Sequence, residues 1–221
     1  MNTTSQEKAF FTSLEARVIA CLMEKHLTTP NNYPLTLNSL VLACNQKSNR
    51  EPVMSLTEGQ VGHTANTLKE RGLVGVEYGG RSDHISHRVM NALGLNKHKQ
   101  AVLTVLMLRS PQTLNDIKAR TQRMVEFEDV NEIHQVLEKM MQGDAPLVVC
   151  IPKAPGSRED RFTHLLCGEV ELPTNQSNVV ESNQNIGKKI NITKQLKLEE
   201  RIEVLEQKVE ELMQYISNKE G

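Results

Sequence analysis

The chain has 221 residues, which is long enough for one large or two small domains with buried cores. Hydrophobic residues make up 38% of it and aromatic residues 3%, with no tryptophan, so the cores must be built from Leu, Val, Ile, Ala and Met. The net charge is −1, from 26 basic and 27 acidic residues, which excludes a polycationic nucleic-acid coat but leaves room for a local basic surface.

Metal sites and membrane spans are not indicated by the sequence. The four cysteines lie far apart, whereas a zinc site needs ligand pairs at short spacing, so we predict no metal site and no cofactor. The chain contains no run of 18 apolar residues and no apolar leader segment. We therefore expect a cytoplasmic protein without a membrane partner.

The first predicted helix begins after Thr12. Thr12 and Glu15 have the spacing of a capping box, in which each side chain accepts a hydrogen bond from the other residue's backbone amide. Apolar residues then recur at helical intervals, and Phe11 stands where a hydrophobic staple would pack. The pattern continues through Lys25, and the Pro- and Asn-containing turn segment at 28–34 ends the helix.

Two more helices are predicted before the hydrophobic period changes. Thr36 is placed to cap a helix that runs to Gln46 and buries Leu37, Leu40, Val41 and Cys44. Thr57 is placed to cap a third helix, whose buried face is Val61, Ala65 and Leu68. Gly72 suits the position after this helix, because glycine readily adopts the left-handed conformation that closes many helices.

A β-hairpin is predicted directly after the third helix. Residues 73–78 form a strand-like run, a turn begins at 79–80, and residues 85–90 return as a second strand. Three helices followed by a two-stranded hairpin are typical of a winged helix, in which the hairpin is the wing. We therefore predict a winged-helix domain at 12–92, preceded by an N-terminal tail at 1–11.

The same order of elements recurs in a second predicted domain at residues 93–172. A helix is predicted from Lys97 to Leu108, and Pro111 breaks it. Thr113, or Asn115 as a later alternative, caps the next helix. The predicted fold class is therefore mainly α with small β-hairpins (α+β), as tandem winged-helix domains.

A third helix and a hairpin complete the second domain. Asp129 starts this helix, Gly143 ends it, and its buried face is Ile133, Val136, Leu137 and Met140. Residues 147–151 and 161–166 form the hairpin. The outward face of this helix carries carboxylates, which would repel phosphates. We therefore expect this domain to pack against the first one or to face a protein partner.

The C-terminal part of the chain changes character. Residues 173–190 are polar and aperiodic at their start, and we predict a flexible linker there. Residues 191–221 are predicted to form an amphipathic, coiled-coil-like helix with a heptad seam at Leu198, Ile202, Leu205, Val209, Leu212 and Ile216. Leu at d and β-branched residues at a favour a parallel homodimer, and the alternative is that this helix folds back onto the body.

One stretch of sequence resembles a known family. YPLTLNSLVLACNQKSNREPVMSL at 33–56, with TTP before it and GQV and LKERGLV after it, resembles the YceH family of uncharacterised bacterial proteins. The resemblance spans residues 13–170, and ACNQKSNREPV is its most specific part. It implies a tandem winged-helix fold and brings no established activity, ligand or catalytic residue.

The first domain contains a candidate nucleic-acid site. In a DNA-reading winged helix, the third helix enters the major groove while the wing and neighbouring loops contact phosphates. Helical projection places six residues opposite the buried face of this helix, namely Gly59, Gln60, His63, Asn66, Thr67 and Glu70. Of these, Gln60, His63, Asn66 and Thr67 are the predicted DNA contacts. Asn and Gln can make paired hydrogen bonds to adenine. The cationic residues predicted to surround them are Lys47, Arg50, Arg71, Arg81 and Arg88.

Two functions remain open from the sequence. The first is a non-enzymatic, dimeric regulator that binds duplex DNA through these nine residues. The alternative is a protein–protein interaction module, because residues 47–96 hold six Lys or Arg against five Asp or Glu. An enzyme is not predicted, because the chain has no G-x-S-x-G, phosphate-loop or H-E-x-x-H motif. His84 and His87 would leave opposite faces of a strand, which suits no shared metal.

Overall fold

The computed structural model describes residues 9–80, 82–153, 156–168 and 170. Within these residues the chain forms seven α-helices and small antiparallel sheets, so the predicted α+β class is confirmed. The helices are α1 (Ser13–Thr28), α2 (Leu37–Cys44), α3 (Glu58–Glu70), α4 (Val89–Ala92), α5 (Lys97–Leu108), α6 (Leu114–Thr121) and α7 (Val130–Met141). The strands are β1 (Leu35–Thr36), β2 (Val74–Glu77), β3 (His84–His87), β4 (Val148–Ile151) and β5 (Arg161–His164).

Several predicted features fall outside the described residues. They are most of the N-terminal tail (1–11), the linker (173–190), the C-terminal helix (191–221) with its six seam residues, and Arg81. These features stay predictions.

Polar side chains set the starts of the helices, as predicted. The Thr12 hydroxyl accepts from the Glu15 amide at 3.2 Å, and the Glu15 carboxylate accepts from the Thr12 amide at 2.7 Å. The same reciprocal capping box starts α3 at Thr57 and α6 at Thr113, so Asn115 is not the cap. Such caps satisfy backbone amides that have no partner within the helix.

The predicted second helix and its buried face need correction. The helix ends at Cys44 rather than Gln46. Leu40, Ala43 and Cys44 form its buried face, while Leu37 and Val41 are only partly buried. The helix ends at Cys44 because the next residue, Asn45, uses its side chain to make two 2.8 Å hydrogen bonds with the backbone of Leu56.

We call residues 12–92 the first repeat and the described residues from 93 onward the second repeat. The sheet of the first repeat has three strands, one more than predicted. Its order is β1-β3-β2, and all pairs are antiparallel. The short β1 was not predicted, because two residues are too few to show an alternating pattern. The predicted strand at 85–90 is wrong beyond His87: the Arg88 amide donates to the Leu73 carbonyl at 2.8 Å, and the chain then turns into α4 with Val89 buried.

The two repeats share one apolar core, which extends from Phe11 to Leu166. α1 packs along α5, and both helices are buried on most sides. The second repeat contributes α6, α7 and the β4–β5 hairpin, with Phe162 paired to Gln112. α5 is buried on most sides, with Leu103 and Leu106 fully buried, because α1 packs on it from one repeat and α6 and α7 from the other.

A polar cluster joins β3 to helices α1 and α5. The His87 ring Nε2 lies 3.2 Å from His26 Nδ1, and the Gln100 amide nitrogen lies 3.3 Å from the same His26 atom. The His87 backbone amide donates to the Tyr33 hydroxyl at 2.6 Å. Because Gln100 also donates to the Met23 carbonyl at 3.2 Å, its nitrogen faces the rings and His26 Nδ1 acts as the acceptor.

Candidate functional site

The exposed side of α3 carries the predicted reading residues. Gln60, His63 and Asn66 are exposed, and Thr67 is partly buried. The opposite side packs into the core through Val61, Ala65 and Leu68, as predicted. We call these four polar residues the α3 face.

Two members of the α3 face have partners in the helix itself. Gln60 Oε1 accepts from the Thr57 amide at 2.9 Å, so it belongs to the capping box. The Thr67 hydroxyl donates to the His63 carbonyl at 3.1 Å. A paired contact from Gln60 to adenine needs its amide oxygen, so such a contact competes with the cap. Asn66 is the better placed of the two amides.

Arg50 does not lie on this surface, and its prediction as a DNA-contacting residue is corrected. Its side chain is 4% exposed and forms an ion pair with the Glu24 carboxylate, with Nη1 at 3.1 Å from Oε1. Its Nε also donates to the Ala43 carbonyl at 3.0 Å. Sequence reasoning missed this because Glu24 lies 26 residues earlier on another helix.

Electrostatics agree with a charged Glu24–Arg50 pair. Burial alone would raise the pKa of Glu24, but the hydrogen bonds and charge of Arg50, aided by Lys25, hold that pKa below its usual value. The pKa of Arg50 is raised: burial opposes the charge, and the hydrogen bonds and charge of Glu24 outweigh it. Both groups are therefore ionised at neutral pH.

Further contacts from the interior fix the loop between α2 and α3. Arg17 donates to the carbonyls of Cys44 at 3.2 Å and Pro52 at 2.7 Å. The Glu51 amide donates to the Leu108 carbonyl at 2.8 Å, which ties the loop to the end of α5. Lys47 is exposed on the outer side of this loop. The loop thus presents Lys47 from a well-anchored backbone.

Arg71 also turns toward the protein. Its guanidinium bonds to the Glu15 carboxylate at 2.8 Å and to the Phe10 carbonyl at 2.6 Å, and it lies over the rings of Phe10 and Phe11. These contacts hold the end of α3 against the start of α1. Burial would raise the pKa of Glu15, but its bonds to Thr12 and Arg71 lower it.

The outer face of the hairpin holds Arg88 beside Gly75. A β-carbon at Gly75 would come within 2.7 Å of Arg88 Nε, so the bare glycine lets the guanidinium cross β2. Arg88 is exposed. Near the same hairpin, Lys69 donates to the Tyr78 hydroxyl at 2.7 Å. Of the predicted cations that the structure describes, Lys47 and Arg88 are thus free of carboxylate partners there.

Exposed carboxylates also occur on α3 and on the hairpin that follows it. Glu58, Glu70, Glu77 and Asp83 are all exposed. The predicted basic ring around α3 is therefore reduced to a few cations among acids, because Arg50 is buried and the exposed Arg71 is paired with Glu15.

Neither a candidate metal site nor a membrane-spanning helix occurs among the described residues. Among the residues that the structure describes, no group of three or more His, Cys, Asp or Glu side chains is placed to hold a metal ion. In the same part of the chain, every helix is too short or too polar to cross a bilayer.

Comparison with known proteins gives a consistent family. The profile of a family described as "Protein of unknown function, DUF480" matches residues 11–157. A UPF0502 protein of Cellvibrio japonicus is 42% identical over 93% of this chain and 92% of its own. One from Aliivibrio fischeri is 42% identical over 94% and 97%, and one from Vibrio campbellii is 46% identical over 75% and 79%.

Proposed function

Since the chain belongs to the DUF480 (UPF0502) family of proteins of unknown function, its role must be argued from its own surfaces, and we propose that it is a non-enzymatic cytoplasmic regulator that binds duplex DNA through its first repeat. The α3 face carries the proposal, because it presents exposed His63 and Asn66 on a helix whose other side is fixed in the core.

The order of elements in the first repeat supports a winged helix. A short strand, β1, lies between the first two helices and pairs with β3, and the hairpin follows α3. In a winged helix this arrangement leaves the outer side of the third helix free beside the wing. The second repeat has three helices and a hairpin in the same order, which supports the tandem arrangement.

Phosphate contacts are proposed at two exposed cations, Lys47 and Arg88. A polar cleft of about 660 Å³ beside β1 offers further donors, since Lys25, Thr36, Ser39 and His84 line it. Cations and hydroxyl donors of this kind hold the DNA backbone without reading sequence, whereas Asn66 would contact a base edge.

Dimerisation through the C-terminal helix is part of the proposal. The heptad seam from Leu198 to Ile216 lies outside the described residues, and its support is the sequence pattern alone. Two linked copies would contact paired half-sites, which raises affinity without any new contact within one copy.

The test is salt-dependent binding of the full chain to mixed-sequence and genomic duplexes, measured by fluorescence anisotropy. The wild type should bind at about 50 mM salt and weaken steeply as salt rises. Because each phosphate contact contributes about 0.9 to the log–log slope, a Lys47→Ala, Arg88→Ala double variant should lower the slope by about 2. Lys97→Ala, which removes an exposed cation from the second repeat, is the control. Absence of binding at about 50 mM salt would end the proposal.

A protein-binding role is the second candidate, and a specific observation favours it. Leu42 is 63% exposed on α2, and Val53 is 55% exposed on the anchored loop that follows. Exposed apolar side chains mark a protein contact when they form one contiguous patch, so this role requires Leu42 and Val53 to lie together. Affinity capture from lysate should then retain a partner after nuclease treatment and lose it with Leu42→Ser plus Val53→Ser. Capture that depends entirely on nucleic acid would contradict this role.

A further inference from the structure

Arg109 enters the interior at the end of α5. Its side chain is 7% exposed, and its Nε and Nη1 atoms have no hydrogen-bond partner among the described residues. Burial, with the nearby Arg120 charge, lowers the pKa of Arg109 to about 10, so the group is still cationic at neutral pH. A buried cation without an acceptor is strongly unfavourable, and a guanidinium cannot escape by losing its proton there.

Two more buried guanidinium groups lie around residues 50–52, which contact the end of α5. Arg17 is 2% exposed and bonds to the Pro52 carbonyl, and Arg50 is 4% exposed. The bond between Glu51 and Leu108 brings this segment beside Arg109. Arg17 Nε also has no partner within the described part of the chain. The orphan atoms at this junction on Arg17 and Arg109 are thus all donors.

The negative charge at this junction is insufficient. Glu24 is the carboxylate buried beside these arginines in the described structure, and both of its oxygens contact Arg50. The charge of Glu24 therefore acts on both Arg50 and Arg109, while both of its oxygens already bond to Arg50. Water could accept hydrogen bonds from the orphan donors, but it would leave the surplus positive charge in a medium of low polarity.

We propose that a small inorganic anion of the size of chloride binds beside Arg109, where the end of α5 meets the loop between α2 and α3. An anion both accepts from the orphan donors and neutralises surplus charge, which is what the junction requires. Arg109 lines none of the described clefts of several hundred Å³, so the space beside it suits only a small ion. Once bound, it stabilises the contact between the two repeats. This site does not depend on DNA binding.

The test is thermal unfolding of the full chain with chloride replacing gluconate at constant ionic strength. If 100 mM chloride is about ten times the dissociation constant, the Tm should rise saturably by about 3–6 °C relative to gluconate alone. Bromide should act like chloride. The rise should vanish in Arg109→Met and persist in Arg123→Met, since Arg123 is exposed. Equal Tm values in chloride and gluconate, or a chloride effect that survives Arg109→Met, would refute the site.

A second measurement covers the case in which Arg109→Met does not fold. The arginine side-chain Nε–H resonances of the ¹⁵N-labelled wild type are followed during the same titration. One slowly exchanging resonance should shift saturably with chloride and not with gluconate. If no protected arginine resonance responds, the proposal is wrong.

Discussion

Glu24 on α1 and Arg50 in the loop after α2 form a buried ion pair in which each carboxylate oxygen contacts a different guanidinium nitrogen. The pair fixes the chain segment that leads into α3, although neither residue reaches the α3 face. Its partners add to this anchoring, since Arg50 also donates to the carbonyls of Ala43 and Asn49. The internal role of Arg50 therefore determines how the outer side of the loop is presented.

Breaking this pair should destabilise the protein strongly. Arg50→Met leaves the Glu24 carboxylate buried without its main partner, and we expect the free energy of unfolding to fall by about 3–5 kcal/mol. Lys47→Met is the matched control in the same loop, and because Lys47 is exposed it should change stability by less than about 0.5 kcal/mol. Urea unfolding of both variants measures the difference. Similar losses in the two variants would contradict the anchoring role.

The His87 ring should make stability depend on pH. Burial, and then the neighbouring His26, lower the pKa of His87 to about 4. The unfolded chain therefore binds a proton between about pH 6.5 and pH 4 that the folded state does not, so stability is full above this window and falls as pH falls through it. We expect His87 to account for a loss of about 1–2 kcal/mol between pH 7 and pH 5.

Variants separate this contribution from other titrating groups. His87→Asn should show a smaller loss of stability between pH 7 and pH 5 than the wild type, measured by urea unfolding at both values. Some dependence should remain, because burial also lowers the pKa of His164 to about 4. His63→Asn, on the exposed α3 face, should retain the wild-type dependence. An unchanged pH dependence in His87→Asn would refute the assignment.

Two glycines at opposite ends of α3 should respond in opposite directions to alanine. Gly72 has a φ of 72°, and a β-carbon there would meet nothing within 4 Å, so Gly72→Ala should cost about 1–2 kcal/mol through backbone strain alone. Gly59 lies in the first turn of α3, with the nearest atom 4.0 Å from an added β-carbon. Gly59→Ala should be neutral or stabilising by up to about 1 kcal/mol. Thermal unfolding of the pair tests this contrast.

If the chain binds DNA as proposed, substitution of Asn66 should reduce sequence discrimination, whereas substitution of Lys47 should reduce affinity for all sequences. Asn66→Ala should remove about 1–3 kcal/mol of discrimination at one base position and leave the salt slope unchanged. Lys47→Ala should weaken all sequences alike and reduce the slope by about 0.9. A binding-site selection followed by salt titrations distinguishes the two. Equal, sequence-independent losses in both variants would show that α3 does not read bases.

The sequence by itself determined most of the local structure. Capping side chains at Thr12, Thr57 and Thr113 marked three helix starts, and Gly72 marked the end of α3, because these signals act within a few residues. Apolar periodicity identified the buried face of α3 and most of that of α7, where Val136 is only partly buried, whereas α1 is buried on most sides. It also identified the exposed residues Gln60, His63 and Asn66, because a helix with one buried side must expose the other.

Only the tertiary structure decided which cationic side chains remain available to bind a ligand. Arg50 and Arg71 look like surface cations in the sequence, but each has a carboxylate partner on α1, 26 and 56 residues away. The strand β1, the cluster around His26 and His87, and the orphan donors of Arg109 likewise depend on distant segments meeting. A cation's preference for solvent or for a buried partner depends on what packing places beside it, and local sequence carries no record of that.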